Sequence, residues 1–279
     1  MIVLVIGATG KTGRAVTRAL ASHGIAVRAA VRSADRQNTA YAAGAQSISV
    51  VDLESGAGLA EGVDGVDGVY HVAPNVHPDE AAIADRVATA AASAGVRRFV
   101  FHSVLHPDDA SMPHHLRKAE AERQVRAALP GATVLRPAAY HQNLVDAARS
   151  GRLAVPYSLD SPFTNVDLDD VAEVAALVLT RHGHEGVTYE LAGPEALSVR
   201  DQAVVATDVL GHRVTAEHVS LESWATGPGS NLPEQARAHL LAMFTAYDRH
   251  GLVGEGDTLH RLLGREPRTW ADLLRAAAP

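Results

Sequence analysis

The chain has 279 residues, of which 47% are hydrophobic, with a formal net charge of −7 and no cysteine. This length can bury a full hydrophobic core, in one large domain or in one domain with an appended lobe. The absence of cysteine excludes disulfides and thiol catalysis, and it is typical of a reducing compartment, so we expect a cytoplasmic protein. The acidic balance argues against direct nucleic-acid binding, and no apolar run approaches the ~18 residues that span a bilayer.

The chain opens with a strand pattern that runs into a glycine-rich turn. Residues 2–6 form a continuous apolar run rich in β-branched side chains, typical of a strand buried on both faces, and not the start of a signal peptide. Gly7 then allows a tight turn, Gly10 lets the backbone approach a pyrophosphate, and Gly13 lets the following helix pack close to the strand. Because the N-terminus of that helix favours anions, the segment predicts a dinucleotide-binding site.

Strand and helix patterns alternate over the next part of the chain. The sequence predicts further strands at 25–31, 46–51, 67–72, 97–103 and 133–136, and helices at 34–43, 78–94 and 114–128. Short strands that alternate with helices indicate βαβ units. The predicted fold is therefore α/β, with a Rossmann-type doubly wound parallel sheet that binds ligands at the carboxyl ends of its strands.

The pattern loosens beyond about residue 140 and becomes mainly helical. We expect a loop with short strands at 151–163, a helix at 167–180 and a last sheet strand at 187–191. Later elements are helices at 199–210, 233–250 and 270–277, a short strand at 215–219 and a flexible loop at 224–231. The sequence thus predicts a dinucleotide-binding domain at 1–150, with its sheet completed by 164–192, and a small, mainly helical C-terminal lobe at 193–279 that bounds a substrate cleft.

The residues after the second strand predict which dinucleotide is bound. An NAD-selective site places an acid there to hold the ribose 2′-hydroxyl, whereas a basic side chain accommodates a 2′-phosphate. Here Val31 is followed by Arg32, with Arg36 shortly after. Arg32 offers phosphate a charge-assisted partner, although a solvated arginine at a strand end is the alternative. Asp35 falls in the first turn of the next helix, where it is expected to cap, so we predict NADP(H) rather than NAD(H).

Further motifs are spread along nearly the whole chain. They are Gly7-Ala-Thr-Gly-Lys-Thr-Gly13, Val31-Arg32, Asp52-Leu53, residues 99–103, Lys118 with Glu122, Leu135-Arg136-Pro137 leading to Asn143, residues 165–172 and 189–194, and Leu263-Gly264-Arg265-Glu266-Pro267. In these segments the sequence resembles the NmrA-like, atypical short-chain dehydrogenases, which include bacterial NADPH-quinone reductases and relatives of isoflavone reductase. The glycine motif is shared by many proteins, while the two arginine–proline segments are more specific. The resemblance implies a Rossmann domain that binds NADP(H) and a small C-terminal lobe.

The glycine loop and the resemblance together define the expected cofactor contacts. The set is Gly7, Thr9, Gly10, Lys11, Thr12, Gly13, Arg32, Arg36, Asp52, Leu53, Val72, Ala73, Pro74, Ser103, Lys118 and Pro137. The resemblance implies that Asp52 lies near the adenine and that residues 72–74 lie beside the nicotinamide half.

The expected catalytic residues depart from those of typical short-chain dehydrogenases, which use a Tyr-x-x-x-Lys pair. None of the six tyrosines has a lysine four residues later, and His114 stands four residues before Lys118. Lys118 and Lys11 are the only lysines of the chain, which indicates a role that guanidinium cannot fill. Chance placement on a solvated helix face is the alternative for Lys118.

Three interpretations of His114 stay open. As a general acid, with an ordinary pKa of ~6.5, it would protonate a reduced carbonyl or quinone oxygen. As a substrate-binding residue, it would donate a hydrogen bond without transferring a proton. It is otherwise an exposed residue at a helix start, with His115 facing the cleft. A quinone that accepts hydride can also take its proton from water.

The histidines and two residues beyond the sixth predicted strand bear on possible metal and substrate sites. Fifteen histidines invite a metal hypothesis, but none shows the helical i, i+4 pair with a nearby carboxylate that is typical of zinc, so no metal is predicted. Tyr140 and Asn143, just beyond the sixth strand, are expected to line the substrate pocket, with ordinary packing at a helix start as the alternative.

Two classes of function follow from these residues. The first is an NADPH-dependent oxidoreductase that transfers hydride to a quinone, an enone or a similar small carbonyl electrophile. The second is a non-enzymatic NADP(H)-binding redox sensor that acts through a protein partner, and the fold cannot choose between them. The missing tyrosine favours the sensor, whereas Lys118 and His114 favour chemistry, and we expect the enzyme. A homodimer or a regulatory protein partner stays open.

Overall fold

The computed structural model describes residues 1–74 and 76–276, and within these ranges seven strands form one sheet in the order β3-β2-β1-β4-β5-β6-β8. The strands are β1 Ile2–Ile6, β2 Ala26–Val31, β3 Ser47–Val50, β4 Gly68–His71, β5 Arg98–His102, β6 Thr133–Pro137, β7 Arg152–Val155, β8 Thr188–Leu191 and β9 Thr215–His218. The helices are α1 Lys11–Ser22, α2 Gln37–Ala42, α3 Leu59–Val63, α4 Glu80–Ser93, α5 Pro113–Ala128, α6 Val145–Arg149, α7 Leu168–Thr180, α8 Val199–Leu210, α9 Leu221–Thr226, α10 Glu234–His250, α11 Asp257–Leu263 and α12 Trp270–Ala276. None of the helices described is long and apolar enough to cross a membrane.

The strand order reverses between β1 and β4, which are hydrogen-bonded neighbours although two strands separate them in sequence. Both β2 and β4 pair with β1 in parallel, with Val5 opposite Ala29 on one side and opposite Tyr70 on the other. The chain therefore winds outward in both directions from the centre of the sheet. This confirms the predicted Rossmann-type fold, whose ligand site lies at such a switch point.

The large core on one face of the sheet explains why the strands form where the apolar runs predict them. Leu4, Val69 and Phe101 are buried there against Ile83 and Val87 of α4. Burying a side chain of this size contributes roughly 1.5–3 kcal/mol relative to leaving it exposed. A continuous apolar strand is stable only when helices cover both of its faces, so the crossover helices are required by the composition of the strands.

The chain divides into two compact units, each of which is assembled from separate segments. Unit 1 consists of Met1–Pro107, Arg117–Arg136 and Val171–Tyr189. Unit 2 consists of Asp108–Leu116, Pro137–Asp170 and the chain from Glu190 onward. Residues 137–150 and 164–170, which the sequence predicts as parts of the dinucleotide domain and its sheet, thus belong to unit 2. The proposed boundaries at residues 150 and 193 stay predictions.

Unit 2 has a core of its own around Trp270, which is fully buried and donates its indole N–H to the Gln202 carbonyl at 3.0 Å. Leu153 of β7 and Val199 of α8 pack into this core, and β7 pairs in parallel with β9. After β8 the described chain contains five helices and one strand, so the mainly helical C-terminal lobe is confirmed.

Several short helices were not predicted, and part of one loop prediction was wrong. Helices α3 and α6 have five residues each, too few to show a helical period in the sequence. The segment predicted as a flexible loop at 224–231 begins inside α9, whose start is capped by Ser220 accepting from the Ser223 N–H at 3.0 Å. The helix predicted at 34–43 is split into a 3₁₀ turn and α2. Ala277, the last residue of the predicted final helix, lies outside the described residues.

Candidate cofactor and catalytic site

The glycine loop makes the tight turn that its spacing predicts. Gly7 has a φ of +77°, in the left-handed region, and its carbonyl accepts from the Gly10 N–H at 2.9 Å. A Cβ added to Gly7 would lie 2.8 Å from the Val72 carbonyl oxygen, because the ends of β1 and β4 approach closely at this point. A Cβ added to Gly13 would lie 2.1 Å from the Gly7 carbonyl oxygen. No side chain larger than hydrogen fits where α1 crosses the end of β1.

The start of α1 has the features of an anion site. Its N-cap is Gly10 in extended conformation, with no side-chain capping hydrogen bond and no acidic residue in the first turn. The first N–H groups of a helix have no partner within the helix, and the dipole places partial positive charge at them. Thr9 is partly accessible and Lys11 is exposed beside this turn. The loop thus offers backbone donors and a cation to a phosphate group.

Arg32 and Asp52 lie at the carboxyl ends of the neighbouring strands β2 and β3. Both side chains are exposed. Hydrogen bonds from Ser55 and from the Glu54 N–H, together with the nearby charge of Arg32, hold the pKa of Asp52 below its ordinary value. The strand ends therefore bring together the predicted 2′-phosphate contact and the predicted adenine contact.

Three further residues, Asp35, Arg36 and Leu53, lie in the segments that follow β2 and β3. Arg36 is exposed in the 3₁₀ turn Ala34–Arg36. Asp35 lies in the first turn as expected, but Ser33 is the N-cap residue, and its hydrogen bond to Asp35 lowers the pKa of that carboxyl group. The carbonyl of Leu53 accepts from Arg86 at 2.6 Å, which anchors the loop after β3.

The segment expected beside the nicotinamide follows β4 at the switch point. Val72 and Pro74 are partly accessible and Ala73 is buried. The Val72 N–H lies 3.5 Å from the Ile6 carbonyl oxygen, so the segment continues along the end of β1. The segment therefore lies beside the glycine loop, and its contact with a nicotinamide stays a prediction.

Ser103, the residue after β5, belongs to a buried polar network. Its hydroxyl donates to Glu122 at 2.5 Å. Arg136 binds the same carboxylate through two N–H groups, at 3.0 and 2.7 Å. Glu122 is only 5% exposed, and this bidentate pairing supplies the partners that a buried carboxylate needs. The hydroxyl proton of Ser103, a predicted cofactor contact, is therefore directed to Glu122.

Lys118 is buried at the end of β5. The residue is 7% exposed, so its placement on a solvated helix face is wrong. Its ammonium pairs with Glu80, donates to the His102 carbonyl at 3.3 Å and lies 5.7 Å from the centre of the Phe101 ring. A lysine in this setting is a fixed positive charge at the carboxyl edge of the sheet.

Two buried histidines lie beside Lys118, and the sequence analysis did not include them in the predicted site. Burial and the charge of Lys118 lower the pKa of both His71 and His102 to about 3, so both rings are neutral near pH 7. His71 stacks on Phe101 with ring centres 5.6 Å apart, and His102 Nδ1 lies 2.5 Å from the Tyr70 hydroxyl. A signal was present, because each histidine is the last residue of a buried strand and a polar residue there often faces a site.

The other predicted catalytic and substrate residues belong to unit 2. His114 is 8% exposed and His115 is fully buried, so the interpretation of His114 as an exposed residue is wrong. The two rings meet edge to face with centres 6.0 Å apart. Tyr140 is the N-cap and Asn143 the last residue of one 3₁₀ turn, His141–Asn143, in which the Asn143 N–H donates to the Tyr140 carbonyl at 3.0 Å, and both side chains are accessible.

Pro137, the last of the predicted cofactor contacts, is buried at the end of β6. Within residues 1–74 and 76–276, no group of three histidine, aspartate or glutamate side chains lies close enough to hold a metal ion.

Several of the known proteins that this chain resembles are named as reductases. The model of the NmrA-like family matches residues 1–273. An NAD(P)H azoreductase of Xenophilus azovorans is 30% identical and aligns with 99% of this chain and 98% of its own. The (4-alkanoyl-5-oxo-2,5-dihydrofuran-3-yl)methyl phosphate reductase of Streptomyces griseus subsp. griseus is 32% identical, with 97% and 96% coverage. The NADPH-dependent quinone oxidoreductase of Escherichia coli, solved with NADPH, superposes with a TM-score of 0.83 at 25% identity over 99% of both chains.

Proposed function

The chain belongs to the NmrA-like family, and from that premise we propose that it is an NADPH-dependent oxidoreductase acting on a small conjugated electrophile such as a quinone or an enone. The observation that carries the proposal is the glycine loop, which presents the uncapped start of α1 at the switch point, with Arg32 at the end of β2. The relatives support it, since one is named as a quinone oxidoreductase and another as the reductase of a substituted oxo-dihydrofuran.

The residues of unit 1 fit this cofactor by their own geometry. Gly7, Gly10 and Gly13 leave a cradle that a Cβ would fill, and no acidic side chain stands in the first turn of α1 to repel a pyrophosphate. Arg32 is exposed and would pair with a 2′-phosphate, for which a guanidinium is a bidentate donor. The bound nicotinamide would supply the hydride.

The chain differs from typical short-chain dehydrogenases in the residue that would deliver the proton. His114 takes the place of the usual tyrosine and would donate a proton or a hydrogen bond to the reduced oxygen. Lys118, the other predicted catalytic residue, is held as a buried cation at the end of β5 and would stabilise negative charge there. Tyr140 and Asn143 would contact the substrate. For a quinone, water can supply the proton instead of His114.

Cofactor choice is tested by titrating the protein with NADPH and NADH and following the nicotinamide fluorescence. Arg32→Ala should weaken NADPH binding about 10- to 100-fold, the equivalent of one charge-assisted hydrogen bond, and leave NADH binding unchanged. Arg181→Ala, which removes an exposed arginine beyond α7, is the matched control and should change neither. Equal affinities for the two dinucleotides in the unsubstituted protein would contradict the assignment.

Turnover separates the enzyme from a second candidate function. The absence of a tyrosine four residues before Lys118 also favours a redox sensor that binds NADP(H) and acts through a protein partner. A panel of quinones and enones, with NADPH consumption followed by absorbance, should give turnover with at least one compound if the chain is a reductase. Tight NADPH binding without turnover across the panel would favour the sensor.

A further inference from the structure

We propose that Glu80 is a positioning residue for Lys118: it holds the lysine as an ammonium ion at the end of β5, with one N–H left to donate to the bound cofactor. The inference rests on the proposed NADPH-dependent function. It assigns a task to a residue that looks, in the sequence, like an ordinary acid in the first turn of a helix.

Glu80 is committed to Lys118 alone. It is the first residue of α4 and is fully buried. Within the described part of the chain, neither carboxylate oxygen has a hydrogen-bond partner apart from its ion pair with the Lys118 ammonium. A buried carboxylate without a counter-charge is very costly, so the pair forms as a unit or not at all.

Lys118 is held from two sides, and its donors can be counted. An ammonium group has three N–H bonds. One is directed to Glu80 and one to the His102 carbonyl oxygen at 3.3 Å, while the Phe101 ring lies under the charge. Those contacts leave one N–H at the carboxyl edge of the sheet, on the same edge as the glycine loop. That N–H is available to an oxygen atom of a bound cofactor.

The charged groups around the pair are otherwise satisfied. Glu122, one turn further along α5, is taken up by Ser103 and by the bidentate guanidinium of Arg136 from β6. Arg117 on α5 donates to the His77 carbonyl. Glu80 is therefore the carboxylate that neutralises Lys118.

The neighbouring histidines add no charge to the pair. His71 on β4 and His102 on β5 are neutral near pH 7, because burial and the Lys118 charge lower the pKa of each to about 3. The charge in contact with the Lys118 ammonium is thus that of Glu80.

Removing the carboxylate while keeping its shape gives the first test. In Glu80→Gln the ammonium loses its counter-charge, and burial disfavours the charged form of an amine that has no such partner. NADPH binding, measured by fluorescence, should weaken at least about tenfold at pH 8.5 and should recover toward pH 6.5 as the lysine regains its proton. Glu61→Gln, which neutralises an exposed glutamate on α3, should bind NADPH like the unsubstituted protein at both pH values.

The thermal stability of Glu80→Gln should change with pH in the opposite direction to its NADPH affinity. If the folded Glu80→Gln protein gives up the lysine proton that its unfolded chain keeps, its stability rises with pH. The Tm deficit of Glu80→Gln should therefore shrink as pH rises, while its NADPH affinity falls. A Tm deficit and an affinity loss that are both independent of pH would overturn the proposal.

A double variant distinguishes a role of the Glu80–Lys118 pair in NADPH binding from a role in stability alone. Lys118→Met leaves a lone buried carboxylate and should unfold at lower temperature, whereas Glu80→Gln with Lys118→Met has no buried charge and should regain Tm, because an apolar replacement of a buried pair is often tolerated. Its NADPH affinity should stay low, since the donor is absent. Recovery of both Tm and affinity would overturn the proposal.

Failure of the underlying function looks different. If the unsubstituted protein itself does not bind NADPH, the proposed function is wrong, and that result is independent of Glu80. If it binds NADPH and Glu80→Gln binds equally well at pH 6.5 and 8.5, the function stands and the role of Glu80 is overturned. Should Glu80→Gln fold poorly, the double variant carries the comparison.

Discussion

Substituting Gly13 by alanine tests whether the glycine loop is built by close packing or only by chain flexibility. The added Cβ would stand 2.1 Å from the Gly7 carbonyl oxygen, 2.6 Å from the Gly7 carbonyl carbon and 2.8 Å from the Ala8 Cα. All three neighbours are backbone atoms, so no side chain can turn away. Separations under 3.0 Å are essentially never seen for a real Cβ, and α1 must move away from β1 by about 0.9 Å to reach that value.

The cost follows from what α1 buries. Val16 and Leu20 are fully buried on the side of the helix that packs on the sheet. A gap of 0.5–1 Å forfeits roughly a quarter to a half of the dispersion energy of each contact it opens. In an ordinary helix interior, glycine to alanine stabilises by about 1 kcal/mol, so the sign itself is informative. We expect a net destabilisation of about 1–3 kcal/mol, the usual cost of overpacking.

Thermal unfolding and NADPH titration measure the two consequences separately. A chain of this size should lose about 2–4 °C of Tm for each kcal/mol, and NADPH affinity should fall because the start of α1 moves away from the phosphate position. Gly131→Ala is the matched control, since nothing lies within 4 Å of its added Cβ, and its Tm should stay the same or rise slightly. If Gly13→Ala is as stable as the parent and binds NADPH equally well, the close-packing argument is wrong.

Three histidine variants test the acid–base interpretations of the chain. If His114 is the general acid, His114→Ala should lower kcat with little change in KM and should remove the limb of the pH–rate profile that a histidine produces. His115→Ala is the control and should keep that limb. An unchanged kcat in His114→Ala would exclude the acid role. His141 is buried against Trp270, with ring centres 5.5 Å apart, and burial lowers its pKa to about 4. Because the unfolded chain then binds the proton more tightly, stability should be complete above pH ~6.5 and fall as pH drops toward 4, with His141 costing on the order of 2 kcal/mol at pH 5. His141→Phe should keep the stack and flatten this part of the pH–Tm curve, and an unchanged slope would show that other groups cause the acid loss.

Local patterns along the sequence determined the sheet and the cofactor loop. The run from Ile2 to Ile6 is apolar on both faces, so it can only be a central strand, and β1 has those bounds. Gly7 is required by the left-handed turn that it makes, and Gly13 by the backbone of Gly7 and Ala8 a few residues earlier, so their spacing alone indicates both. Five-residue helices such as α3 carry no such period, and the sequence did not predict them.

The contacts of Lys118 at the carboxyl edge of the sheet were determined by the tertiary structure. Lys118 and Glu80 are 38 positions apart, and nothing in either local pattern says that the two side chains meet, or that both are buried. The neutral state of His71 depends in the same way on a helix that begins more than forty residues later. A sequence pattern reports the period of burial along one element, whereas the partner and the charge state of a buried polar group depend on which elements the fold brings together. The glycine loop was therefore predictable from the sequence, whereas the pairing that holds Lys118 became visible only in the folded chain.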